Sequence, residues 1–283
     1  LGTAHVYDDV LILEFEVRAT EQVLLHDTVE EGTESITRCI QQATTRLQVS
    51  RSLAELYQAL ADEVRRLSGF DRVMIYRFMP DQHGIVEGES LREGLESFLG
   101  LHYPASDIPP QARRLYTLNP LRLIVDINAE PVPLEPPRCP VHGRSLDLTY
   151  SSFRSVSPIH IEYLRNMGVA ASMSISILSG GQLWGLIACH HYQPRNVSFE
   201  IRAACELLGT MAGGYVTTRQ ISDEVEVQTR RQDELAHATR ALASFTTIGA
   251  GLRNIAPQLL RAVDAQGVAI CLRDMIICEG LTP

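Results

Sequence analysis

No lysine occurs anywhere in this sequence: all 25 basic residues are arginine. That single absence excludes a P-loop, a kinase strand lysine and a Schiff-base lysine for retinal or pyridoxal phosphate. Positive charge is also in deficit. The net charge is −9 over 283 residues, which argues against nonspecific nucleic-acid binding, because that rests on a basic surface. No apolar run is long enough to span a bilayer, and no signal-peptide pattern opens the chain, so a cytoplasmic protein without membrane association is expected. The six cysteines (39, 139, 189, 205, 271 and 278) form no CxxC pair. Cys39, Cys189 and Cys205 fall in core-like patterns and read as buried reduced thiols.

What is present is enough apolar material, 45% of the residues, for one large core or for one domain flanked by pieces of others. The chain opens on Leu1 rather than Met, as a fragment would. Val10 to Glu16 reads as a strand. A lone strand has no sheet of its own, so it must dock elsewhere or be disordered. Helices are expected from about Thr33 to Gln48 and from Ser52 to Leu67. The second opens with Ser52 three residues before Glu55, a capping box. Its Leu53, Leu56, Leu60, Val64 and Leu67 recur at helical spacing, and Gly69 ends it.

Arg72 to Phe78 reads as a strand, Ile85 to Ser90 as a weaker one, Arg92 to Leu99 as a short helix and Leu121 to Ile127 as a further strand. Residues 129–150 carry five prolines and form a long surface loop. Two strand patterns, 170–178 and 183–191, flank a Gly-Gly turn and predict a hairpin. From Ser198 to about Thr246 a helical pattern runs for roughly 70 Å, with Gly209, Gly213 and Gly214 as local weak points. Its charged stretch Ser222 to Glu234 suits a helix that bridges domains or pairs with a partner. Helices beside a mostly antiparallel sheet, without βαβ alternation, make the fold class α+β.

Several residues invite a chemical reading. Tyr103-Pro104-Ala105-Ser106-Asp107-Ile108-Pro109-Pro110 sets a carboxylate between prolines, ahead of a short helix with Arg113, Arg114 and Tyr116. Prolines fix φ and remove donors, so this loop is stiff and suits a ligand with fixed N–H groups. In the strand 170–177, Ser172, Ser174 and Ser176 share one face and Met173, Ile175 and Ile177 the other. From pattern alone this is a half-exposed strand with its hydroxyls in water. Cys189 and His190 point to opposite faces and cannot share one metal without a bulge, and no HxxxH spacing supports a metal site either. Ser157 and Pro158 start a helix whose first turn holds His160, where the helix dipole disfavours a protonated ring. Taken alone, His160 is a surface or satisfied core residue. Arg122 and Arg154 offer planar forks suited to carboxylates, although an arginine on a strand is usually solvated at its tip. Met74, Tyr76, Phe98, Tyr103, Tyr163 and Met167 line an apolar slot on one reading and are plain core on the other.

Together, the loop at Tyr103–Pro110, the segment Arg154-Ser155-Val156-Ser157-Pro158-Ile159-His160-Ile161-Glu162-Tyr163-Leu164-Arg165-Asn166-Met167-Gly168 and the strand Leu183-Trp184-Gly185-Leu186-Ile187-Ala188-Cys189-His190-His191 resemble the chromophore-binding GAF domain of phytochromes, in particular bacteriophytochromes. The likeness runs from about Ser52 to Thr218. It implies a GAF fold: a six-stranded antiparallel sheet with helices on one face and a ligand pocket on the other, followed by a long C-terminal connecting helix. It further implies a terminal PAS strand at 1–18, the GAF domain at 30–218, the connecting helix at 219–248 and the start of a PHY domain at 249–283.

The implied ligand is the linear tetrapyrrole biliverdin. By resemblance, Arg122, Arg154, Ser172 and Ser174 meet its propionates, Ser157 is a further binding residue, and His160 lies near the B and C rings. His190 meets the D ring, within the cluster Tyr76, Tyr103 and Tyr163. Asp107 offers its backbone carbonyl to the pyrrole N–H groups, with Ile108, Pro109, Tyr116, Met74 and Phe98 lining the slot. The implied function is red/far-red photoreception without enzymatic chemistry in this stretch, signalling through the long helix, as a homodimer, to a histidine kinase or response regulator. One departure stands out. Relatives attach the bilin through a Cys ahead of the PAS domain or directly before the pocket His. The first region is absent from this sequence and the second position is Ile159, which points to noncovalent binding. A GAF module for another small molecule and a tetrapyrrole-modifying enzyme are the competing readings.

Overall fold

The computed structural model describes residues 2–16, 29–263, 265–272 and 275–282, with backbone only for 29–35. Of the terminal segments assigned above, Leu1, Val17, Arg18, Asp264, Arg273, Asp274 and Pro283 lie outside the described residues. The chain divides into two compact units, Leu1–Thr217 and Thr218–Pro283.

The first unit opens with a hairpin of β1 (Gly2–Tyr7) and β2 (Val10–Phe15). The strand at 10–16 is therefore not alone. Asp8 and Asp9 take positive φ (52° and 59°) and close a two-residue turn, a conformation that aspartate tolerates, so residues 2–7 can fold back as its partner. Helices α1 (Val29–Gln48) and α2 (Leu53–Ser68) follow. The α2 cap forms as the sequence indicates: Ser52 Oγ accepts from Glu55 N at 3.2 Å and the Glu55 carboxylate accepts from Arg51 N at 2.7 Å. Gly69 closes the helix in the left-handed region (φ 66°).

Strands β3 (Arg72–Phe78) and β4 (Gly84–Leu91) come next. The expected helix at 92–99 does not form. Its backbone groups are taken by side chains of the sheet instead. Glu89 accepts from Phe98 N (3.0 Å) and Ser97 Oγ (2.5 Å), and Arg72 donates to Glu96 O (2.5 Å). Then come β5 (His102–Tyr103), a 3-10 turn (Ala105–Asp107), α3 (Pro110–Leu118) and β6 (Leu121–Ile124). Strand β6 stops three residues before Ile127, because Val125 O bonds Arg195 N and Ile127 N bonds Ala170 O, outside the ladder. A long irregular segment leads to α4 (Pro158–Asn166), the hairpin β7 (Ala171–Ser179) and β8 (Gln182–His191), and α5 (Phe199–Ala243).

The six strands β3 to β8 form one sheet in the order β5-β4-β3-β8-β7-β6, antiparallel throughout. On one face Val73, Ile75, Met173, Ile175, Ile177, Ile187 and Cys189 meet apolar residues of α1, α2 and α5, among them Leu47, Leu60, Val64, Cys205 and Leu208. Burying each large aliphatic side chain stabilises the fold by about 1.5–3 kcal/mol. A one-residue slip of β7 would exchange three of them for serines, so the core sets the register. Gly209 and Gly213 do not act as weak points in α5. A methyl group added at Gly213 would stand 2.2 Å from Leu178 O, and one at Gly209 2.7 Å from Ile175 Cγ2, so Gly213 lets the helix rest on the backbone of β7 and Gly209 makes room for the Ile175 side chain. The fold is α+β, with the sheet, the covering helices and the long helix that the sequence implies.

The second unit contains the rest of α5, then α6 (Ile248–Val263) and an antiparallel hairpin of β9 (Gly267–Leu272) and β10 (Met275–Gly280). Ile255, Ala256, Ala262 and Ile277 are buried within it, and Arg261 pairs with Glu234 at 3.5 Å.

Candidate ligand-binding site

The sheet face opposite the main core carries the candidate site. Pairing of β3 with β8 sets Arg72 beside His190, Met74 beside Ala188 and Tyr76 beside Leu186. Across β8 and β7, His190 adjoins Ser172, Ala188 adjoins Ser174 and Leu186 adjoins Ser176. Strand β6 adds Arg122 beside Ser174. The three serines are buried rather than in water. Helix α3 explains why: Ser176 Oγ donates to Tyr116 O at 2.7 Å, and Ser174 hydrogen-bonds the Tyr116 side chain, whose phenol burial pushes up.

Above this face lies the proline-flanked loop. Asp107 N donates to Pro104 O at 3.1 Å. Arg113 then pins the loop from α3. It donates to Ile108 O (2.7 Å), Ala105 O (3.3 Å) and both Gln82 O and Oε1 (2.6 and 2.5 Å), while its guanidinium stands 4.4 Å over the Phe78 ring. Pro109 takes the cap position of α3 without a side-chain bond. Among the described residues the Asp107 carboxylate has no hydrogen bond or ion pair. It lies close to three phenols: burial first, and the Asp107 charge second, raise Tyr76 (to about 12) and Tyr163. Burial also raises Tyr103.

Met74, Tyr76, Val86 and Leu186 make a separate apolar cluster, with Phe78, Phe98, Tyr103, Ile108 and Tyr116 packed against it. Tyr76 meets Tyr103 with ring centroids 5.9 Å apart and crosses Phe78 edge-on at 5.3 Å. Its ring lies directly over Gly84, where a methyl group would stand 1.8 Å from Tyr76 Cζ. Phe98 packs under the Arg72 guanidinium, 3.7 Å from its ring centroid. Arg72 in turn forms a buried ion pair with Glu89. Tyr163 and Met167 pack into a third cluster around Ile124, Ile127, Leu164 and Val169.

The other end of the face is cationic. Arg122 donates to Ser152 O at 3.0 Å and to Arg154 O. Among the described residues neither Arg122 nor Arg154 pairs with a carboxylate. Burial, and then the charge of Arg154, lower the Arg122 pKa to about 10, and burial lowers that of Arg154. His160 stacks on Tyr163, with ring planes 10° apart and centroids 6.2 Å apart. Burial and then Arg122 lower its pKa, causes other than the helix dipole expected from the sequence. His190 is 7% exposed, and its buried Nδ1 has no partner among the described residues. Burial, Arg72 and His160 lower its pKa to about 4.

Three placements restrict the chemistry. Cys189 is fully buried on the opposite face from His190, and no metal-ligating cluster occurs among the described residues. Ile159 points outward, 80% exposed, and Cys139 is buried in a turn closed by its own bonds with Gly143 and Arg144. Ser157 caps α4 by position, but it is exposed and its side chain makes no cap bond. The structural roles of Arg113, Arg72, Glu89 and Glu14 escaped the sequence reading. A charged residue on the buried phase of a strand, as at Arg72 and Glu89, was the available signal.

An aromatic cluster beside two guanidiniums that form no ion pair among the described residues, with a buried imidazole whose Nδ1 has no partner among them, suits a flat conjugated ligand that bears acidic arms. Comparison with known proteins gives the family. The GAF domain profile matches residues 52–214. A bacteriophytochrome of Pseudomonas aeruginosa is 44% identical over 83% of this chain and 32% of its own length. Cyanobacterial phytochrome B of Nostoc sp. is 41% identical over 99% of this chain and 36% of its own. The chain thus spans about a third of the length of these curated relatives. The crystal structure of a bacteriophytochrome from the photosynthetic bacterium R. palustris superposes over all of this chain and 55% of that one, with a TM-score of 0.86 and 38% identity. This chain therefore belongs to the GAF domain family and is homologous to the corresponding part of phytochromes and bacteriophytochromes.

Proposed function

We propose that this chain is the chromophore-binding part of a red/far-red photoreceptor, that its ligand is biliverdin and that the ligand is held noncovalently. The observation that supports this most is the pair Arg122 and Arg154: two partly buried cations that form no ion pair among the described residues, near a cluster of Met74, Tyr76, Phe98, Tyr103, Ile108 and Tyr116. A ligand with two propionates supplies the missing charge. When bound, the bilin supplies light absorption and isomerisation of its D-ring methine bridge.

The residues have separate tasks. Arg122 and Arg154 bind the propionates, with Ser172, Ser174 and Ser157 as hydroxyl partners. Asp107 offers its backbone carbonyl, which accepts no protein hydrogen bond among the described residues, to the pyrrole N–H groups. Neutral His160 stands beside the same nitrogens. His190, with its free Nδ1, meets the D ring within Tyr76, Tyr103 and Tyr163. Pro109 and Arg113 keep the loop in place, so little ordering cost falls on binding. Within residues 1–283, Ile159 and the enclosed Cys139 support a noncovalent hold on the ligand.

Change at the site passes along α5 to an output beyond this chain, a histidine kinase or response regulator, in a dimer joined along α5. Ile201, Cys205, Leu208, Ala212 and Val216 are engaged with the sheet, whereas Ile221 and Val225 are exposed one turn apart, as a partner helix needs. Absorption spectra of the purified chain with added biliverdin, before and after red light, test the reading. Uptake with a red-shifted band that red light changes is expected. No band, or one indifferent to light, refutes it. Denaturation followed by chromatography should separate pigment from polypeptide.

A further inference from the structure

We propose that Glu14, on the N-terminal hairpin, is a positioning residue for the carboxylate-binding arginines. The proposal rests on the bilin reading above. Glu14 belongs to β2 and lies far from the site in sequence, yet its carboxylate is buried and fully engaged. It accepts from Ser151 Oγ at 2.9 Å, Ser152 N at 3.1 Å and Phe153 N at 2.9 Å. Three consecutive residues thus wrap one anion, and a charged acceptor makes such bonds shorter and stronger than neutral ones do.

The other side of the same segment is turned to Arg122. Ser152 O accepts from Arg122 at 3.0 Å, and Arg154 O accepts from it as well. Ser152 C=O and Phe153 N–H belong to one trans peptide group, and in a trans peptide these two bonds point in opposite directions. One rigid plane therefore joins the Glu14 carboxylate at its N–H end to the Arg122 guanidinium at its C=O end. Each charge sits at the end of the peptide dipole that favours it, so each bond polarises the other. Arg154 follows one residue later, so the anchor that aims Arg122 also fixes where Arg154 leaves the loop.

The sequence shows why this needs an anchor. Residues 129–157 are an irregular segment with no strand or helix of their own. Such a segment cannot by itself keep Arg154 near Arg122 of β6, since like charges at close range repel. The hairpin supplies the missing constraint and links the two events: docking of β2 strengthens the grip on the ligand, and the ligand strengthens docking by the same factor.

The test uses biliverdin and its dimethyl ester, which lacks the two negative charges. Glu14→Ala should speed amide hydrogen exchange across 151–154 in the ligand-free protein. It should also weaken biliverdin binding about tenfold while leaving ester binding unchanged. Glu14→Gln, which keeps the shape but turns an N–H donor toward the loop amides, should act in the same direction. Equal losses for acid and ester would mean a general structural role and overturn the proposal. So would faster exchange with unchanged biliverdin affinity. If Glu14→Ala fails to fold, Ser151→Ala removes one donor alone and must show the same preference for the acid. A parent chain that takes up neither pigment refutes the bilin reading itself, and this inference with it.

Discussion

Arg72 and His190 stand side by side across the β3–β8 ladder, both buried on the ligand face, and the fixed charge of one helps to keep the other neutral. Burial is the larger cause. The His190 pKa of about 4 lies below the ordinary value for histidine, about 6.5, which the unfolded chain regains. Between these values the unfolded state binds the extra proton and the folded state does not. Stability is therefore greatest above pH 6.5 and falls as the pH drops toward 4, by up to roughly 3 kcal/mol from this group. Thermal unfolding across that range should show the loss, and His190→Gln should flatten the profile.

Removing one member of the buried Arg72–Glu89 pair should be more damaging than removing both. Arg72→Met leaves the Glu89 carboxylate uncompensated and should cost about 3–5 kcal/mol in urea unfolding. Arg72→Met with Glu89→Leu should recover a large part of that loss. The double variant should still expose Phe98 and the 96–98 turn to faster exchange, since Glu89 holds Phe98 N and Ser97 Oγ.

Gly84→Ala should act on the site more than on the fold. The added methyl group overlaps the Tyr76 ring, so Tyr76 must leave its contact with Tyr103. Overpacking of this kind costs about 1–3 kcal/mol. In the pigment-loaded chain the absorption band should shift. Gly84→Ala together with Tyr76→Phe would keep the clash, whereas Gly84→Ala with Tyr76→Ala should relieve it, as unfolding midpoints would show.

Asp107→Ala and His160→Ala should leave pigment uptake largely intact but reduce light-driven conversion or make the band pH-sensitive near neutrality. Neither side chain carries the propionate contacts assigned to Arg122 and Arg154. Titrations of the absorption spectrum at fixed pigment load check this. Conversion like that of the parent at every pH would remove both residues from the photochemical role.

Much of this architecture is legible in the sequence because local signals and burial agree there. Ser52, Glu55 and Gly69 mark α2 at both ends, and the alternation in 171–177 separates the Met173 face from the Ser172 face before any contact is known. Legibility ends where distant partners decide. The stretch 92–99 has helical composition, but Glu89 and Arg72 take its backbone groups. The hairpin partner of β2 depends on a two-aspartate turn with positive φ, a weak signal beside Asn-Gly. The seat of Glu14 among residues 151–153 joins positions nearly half the chain apart, which no local pattern reports. At the site the residue types and spacing point to a ligand face, but burial of its serines requires α3 above them, and that is a tertiary fact.

A glycine of α5 gives this unit a mechanical property. At Gly213 no side chain lies between the helix and Leu178 of β7, so backbone bears on backbone there, whereas Gly209 faces the Ile175 side chain; Ser179 and Thr217 add a hydroxyl bond at 2.8 Å. A layer of flexible side chains damps displacement by changing rotamer. Bare main chain in van der Waals contact has no such slack. The end of β7 at Leu178 and the helix at Gly213 therefore form one stiff contact, and a movement of that end of the strand reaches α5 without a side chain to absorb it.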